Sequence, residues 1–67
     1  DTKVEQINDD VQGCARISDF SNGFKYGSFL FFNGKSIVYL NIKYSDSLSL
    51  DKDYVTEQCV RYLENTK

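Results

Sequence analysis

Cys14 and Cys59 are the only thiols in the chain, and no His accompanies them. Two thiols without His cannot complete a structural zinc site, and their spacing is not the Cys-x-x-Cys of a dithiol redox centre. What such a pair can do is bond to itself. A Cys14–Cys59 disulfide would close most of the chain into one loop, worth roughly 4 kcal/mol on the loop-entropy estimate. Disulfides persist in oxidising compartments, so the pair implies a secreted or periplasmic address. No leader and no apolar run of membrane-spanning length is visible, as expected for the mature form of an exported chain.

The other reactive groups organise less well. Without His, only a Lys or a carboxylate is left to activate a Ser or Thr, and nothing in the sequence marks one out. The carboxylate pairs Asp9-Asp10 and Asp51-Lys52-Asp53 read as a solvated face and a charge bias at a helix start. Residues 46–53 lack the Gly and the terminal Glu of a calcium loop, and Gly23, Gly27 and Gly34 are not spaced as a phosphate loop. The expectation is a protein that is not an enzyme and uses no metal and no cofactor. A net charge of −2 argues against nucleic acid as a partner. Another protein, or a second copy of the chain, is the expected partner, without membrane insertion.

These side chains need elements to hold them, and 67 residues allow a single domain, 1–67. Val4, Ile7, Val11 and Cys14 recur at three- and four-residue steps, which predicts a helix over about 3–17. Thr2 and Glu5 have the capping-box spacing at its start. Residues 24–44 are rich in Phe, Tyr, Ile, Val and Leu and alternate with period two, which predicts two strands. Asn33-Gly34 between them signals a hairpin. A three-residue loop with Gly34 left-handed would pair even positions with even. Tyr54, Val55, Cys59, Tyr62 and Leu63 form the stripe of a second helix, with Ser49 or Asp51 as its N-cap. The expected fold class is therefore α+β: a small two-layer domain of N-terminal helix, antiparallel β-hairpin with room for a third short strand near Phe20 or Leu48–Leu50, and C-terminal helix. Both helices would lie on one face of the sheet, joined by the disulfide.

An alternative is an all-α, disulfide-linked helical domain, because Phe20, Phe24, Gly27, Phe31, Gly34 and Val38 also fit a helical step. On that reading Gly13-Cys14-Ala15-Arg16-Ile17, the aromatic run Ser28-Phe29-Leu30-Phe31-Phe32 and Asp53-Tyr54-Val55-Thr56-Glu57-Gln58-Cys59 carry a resemblance. The chain resembles the small periplasmic acid-stress chaperones of the HdeA type. That resemblance implies a dimer which opens in acid and binds unfolded proteins.

Seven of the ten aromatic residues lie between Phe24 and Tyr44, on both parities. With even positions under the helices, Phe29, Phe31, Ile37 and Tyr39 would share the opposite face, where a one-sided sheet should be polar. These four are the expected partner-binding residues of a small binding module of the inhibitor, immunity-factor or toxin-subunit type.

Overall fold

The computed structural model describes residues 3–66. Four antiparallel strands follow one another in chain order: β1 (Glu5–Gln6), β2 (Gln12–Asp19), β3 (Phe24–Phe32) and β4 (Ile37–Ser45). One helix, α1 (Lys52–Glu64), closes the chain. The molecule measures 40 × 24 × 15 Å. The short dimension holds one sheet and one helix, so only one face of the sheet is covered.

The expected N-terminal helix is absent, and residues within its predicted span form β1, a turn and most of β2. Two features explain why. Asn8 sits in mid-pattern and its side-chain oxygen accepts from the backbone N–H of Asp10 (2.8 Å) and Val11 (2.9 Å). Asn side chains that satisfy local backbone donors in this way compete with helix and favour turns. Beyond the turn, Gly13, Ala15 and Ile17 alternate with Gln12, Cys14, Arg16 and Ser18, a period of two that the helical steps had hidden. Thr2, the expected cap, lies outside the described residues. Neither Phe20 nor Leu48–Leu50 forms an extra strand; β1 and β2 complete the sheet instead.

The hairpins are tight. Asn22 and Gly23 both take positive φ (59° and 79°), the requirement of a type I′ turn, and Phe24 N–H donates to Ser21 O at 3.3 Å. Between β3 and β4, Gly34 takes φ 88°, as its left-handed placement in the sequence reading required. The loop itself is not the expected three-residue one. Asn33 N–H donates to Ser36 O (3.2 Å), and Phe32 pairs with Ile37, Phe31 with Val38 and Phe29 with Leu40. Odd positions of β3 therefore face even positions of β4. Side chains alternate along a strand, so a change of one residue in loop length turns a whole strand over.

The core follows from that register. Val11, Phe29, Phe31, Cys59 and Leu63 are buried, with Ala15, Ile17, Val38, Ile42, Leu50, Val55 and Val60 packed around them. On α1 the sheet-facing stripe is Val55, Cys59, Val60 and Leu63, while Tyr54 and Tyr62 stay exposed. Asp51 is the N-cap: its carboxylate accepts from Asp53 N–H (3.0 Å) and Tyr54 N–H (3.1 Å). At the other end Asn33 Nδ2 donates to Leu63 O at 3.0 Å, and its Oδ1 accepts from Lys35 N–H and Ser36 N–H. One amide thus fixes the β3–β4 turn and ties it to an end carbonyl of the helix.

Cys14 and Cys59 are both free thiols. The expected disulfide does not form because Cys14 sits on β2 opposite Leu30, on the side turned from the helix, whereas Cys59 is buried beneath α1. The sheet lies between them. The exported address rested on that bond and loses its argument with it. Nor does the all-α alternative stand, since residues 24–45 are the two longest strands. With the helical frame goes the basis of the resemblance to acid-stress chaperones.

Candidate functional site

The four residues expected to form one binding face do not share one. Phe29 and Phe31 are 0% exposed, in the core beneath α1, and Ile37 and Tyr39 are 63% and 66% exposed on the other side of the sheet. Registering the strands gives the uncovered face row by row. Gln12, Phe32 and Ile37 form one row, then Cys14, Leu30 and Tyr39, then Arg16, Ser28 and Asn41. Ser18, Tyr26 and Lys43 follow, and Phe24 with Ser45 ends the series.

Two apolar areas result. Leu30, Phe32, Ile37 and Tyr39 crowd the end near the β3–β4 turn, all exposed. At the far end Phe20 stacks on Tyr26 with ring centroids 6.1 Å apart. Lys43 Nζ lies 5.1 Å from the Phe20 ring centroid and 5.0 Å from that of Phe24, within cation–π range. The polar row of Arg16, Ser28 and Asn41 separates the two areas. No carboxylate occupies any of these strand positions, although the chain holds ten acidic residues against eight basic ones. The face is apolar and cationic on an acidic protein.

Sequence reasoning expected a two-sided aromatic hairpin and found its residues, but assigned them to the wrong sides. Leu30, Phe32, Phe24 and Phe20 were missed as surface groups because apolar side chains at alternate positions normally mark a buried face. The signal that would have found them is the run Phe29-Leu30-Phe31-Phe32, apolar at both parities, which leaves one parity uncovered wherever a single helix backs the sheet.

On the helix side a cleft of about 160 Å³ opens beside β1, lined by Glu5, Ile7, Gly13, Phe31, Asp53 and Thr56 among others. Sites for organic ligands run from about 300 Å³ upward. Among the described residues no three His, Cys, Asp or Glu side chains cluster to hold a metal ion. No helix among them is long and apolar enough to cross a membrane. Cys59 is held protonated by burial, which pushes its thiol above the ordinary range. Asp19 does the same for Lys25, first through a hydrogen bond and then through its charge, at 2.9 Å. Neither group points into the uncovered face. Compared with known proteins, the chain matches no family model, no curated protein and no solved structure.

Proposed function

We propose that the chain is a protein-binding module whose contact surface is the uncovered face of the sheet, with Leu30, Phe32, Ile37 and Tyr39 at its centre of affinity. The observation that supports this is the exposure of large apolar side chains on a regular surface that none of the described residues covers. The exposed parts of these four amount to roughly 400 Å², the size of contiguous apolar patch that on a monomer is often functional. Phe20 and Phe24 add a smaller area beyond the polar row.

Charge narrows the partner. Arg16 sits in the central row and Lys43 in the next, with no acid between them. With two cations and no carboxylate among its strand positions, this face is complemented better by a different, carboxylate-bearing protein than by a second copy of itself. Two cations are also too few to anchor a phosphate backbone on a chain of net charge −2. The partner surface is one that combines apolar side chains with carboxylates. Tyr39 and Arg16 are of the aromatic and cationic types enriched at interface centres.

The test places a photo-crosslinking residue at Ser28, mid-face, and at Glu57 on the helix, in native extract. Crosslinks to one protein from position 28, lost with Phe32→Ser plus Ile37→Ser, are the expected result. Crosslinks from position 57 alone, or ones indifferent to the double substitution, would overturn the reading.

A further inference from the structure

The edge of the sheet carries a second surface, bordering its uncovered face and formed by the backbone of β4. β4 is the terminal strand, and its nine residues pair with all nine of β3 without a bulge. Asn33 N–H to Ser36 O at one end (3.2 Å) and Asp46 N–H to Gly23 O at the other (2.9 Å) mark hydrogen-bonded pairs. In an antiparallel ladder such pairs alternate with non-bonded ones. Val38, Leu40, Ile42 and Tyr44 therefore direct their backbone groups to β3. Ile37, Tyr39, Asn41, Lys43 and Ser45 direct theirs outward along an edge about 30 Å long, and of these the Ser45 carbonyl is already taken by Leu48 N–H at 3.0 Å.

Proteins blunt such edges with Pro, bulges, shortness or clustered charge. This chain contains no Pro, β4 has no bulge, and Lys43 is its only charge. The strand is instead self-complementary. Turned about a two-fold axis through Asn41, perpendicular to the sheet, β4 meets its own copy antiparallel with all nine residues paired. On the uncovered face Tyr39 then stands opposite Lys43, Ile37 opposite Ser45, and Asn41 opposite Asn41. On the helix face Leu40 meets Ile42 and Val38 meets Tyr44. Lys43 never meets Lys43, and Leu40, which faces the helix layer yet remains exposed at the edge, gains an apolar cover. Cross-strand pairs of these kinds, aromatic with cation and aliphatic with aliphatic, are the favourable ones.

We infer that β4 docks a second copy of the chain, giving a continuous eight-stranded sheet with both helices on one side and both uncovered faces on the other. Sedimentation equilibrium of the intact chain tests it, with a dimer as the expected species. Asn41→Pro removes an N–H that points outward and so costs the monomer no ladder bond. That variant should sediment as a monomer with the parent's far-UV circular dichroism. Should it fail to fold, Tyr39→Lys decides instead: it sets like charges opposite each other twice and should weaken the dimer about tenfold. Adding Lys43→Glu should restore association. A parent that stays monomeric to about 1 mM, or a dimer indifferent to whichever of these variants folds, would overturn the inference.

Discussion

Replacing Gly13 by Ala separates the strand from the helix that the spacing of Val4, Ile7, Val11 and Cys14 suggests. In a helix interior Ala is better than Gly by about 1 kcal/mol, so the change would stabilise. In β2 the outcome has the opposite sign. Gly13 pairs directly with Phe31, and a Cβ there would collide with the Leu30 carbonyl and with the Phe31 backbone and ring. Those atoms belong to the central strand β3, which is bonded on both sides, so relief requires β2 and β3 to part. Overpacking of a core costs typically about 1–3 kcal/mol, and a clash with backbone belongs at the upper end. For a domain of this size each kcal/mol moves Tm by about 4–8 °C. The expected loss is therefore about 10–20 °C.

Thermal and urea unfolding of parent and Gly13→Ala, followed by circular dichroism, measure it, with an unchanged urea m-value showing that the same surface is lost in both. Gly27→Ala is the internal control. A Cβ at Gly27 would approach side-chain atoms of Phe29, Leu50 and Ile17 at 3.0–3.3 Å, and these can shift. It should cost clearly less. A Gly13→Ala variant as stable as the parent, or more so, would refute the placement of β2 against β3.

Further outcomes follow from the packing. Phe31→Ser should unfold the chain at 37 °C by circular dichroism, since removing a fully buried Phe costs about 3–5 kcal/mol against a total of roughly 3–10. Gly34→Val should cost about 1–2 kcal/mol in urea titration, all of it from φ 88°, because a Cβ there meets nothing within 4 Å. Asn33→Ala should destabilise more than Asn33→Asp in the same assay, as Ala loses the two turn bonds from Lys35 and Ser36 N–H as well as the donor to Leu63 O, whereas Asp keeps the turn bonds. With iodoacetamide at pH 8, Cys14 should react before Cys59. Because burial raises the Cys59 thiol, its contribution to stability is complete below the unfolded thiol value near 8.5 and is lost as pH rises past it, visible as a falling Tm.

What could be read from the sequence was whatever local chemistry decides alone. The left-handed Gly34, a cap at Ser49 or Asp51 and the helical stripe each depend on neighbours within a few residues. Gly34 and Asp51 take those roles, and of the stripe Val55, Cys59 and Leu63 face the sheet while Tyr54 and Tyr62 stay exposed. The N-terminal half failed because Val4, Ile7 and Val11 satisfy a helical period only by ignoring Asn8, whose side chain closes a turn. The binding face failed for a single reason of parity. Whether the Asn33-Gly34 turn closes with an odd or an even number of residues decides which of Phe29 and Leu30 is core. Asn33-Gly34 is compatible with a two-residue turn as well as the expected three-residue one, and the shorter turn, Gly34-Lys35 inside the Asn33–Ser36 pair, is the one that formed. The disulfide was a compositional inference, and strand parity again undid it by putting Cys14 on the face away from α1.

The uncovered face follows from the same economy that makes the fold possible. A helix of thirteen residues is about 20 Å long and covers a strip of sheet about 10 Å wide. It buries Phe29 and Phe31 completely but leaves the flank of β4 open at Leu40. A second layer over the opposite face would need another helix, and the residues between Glu5 and Asp19 are committed to β1 and β2. Among the described residues, apolar side chains at both parities of β3 are therefore not all covered. Were Leu30, Phe32, Ile37 and Tyr39 polar, the monomer would keep its core and gain solubility. Leaving them apolar in water forgoes burial worth roughly 1.5–3 kcal/mol each, and that forgone gain is the physical basis of the proposal that this face binds a protein.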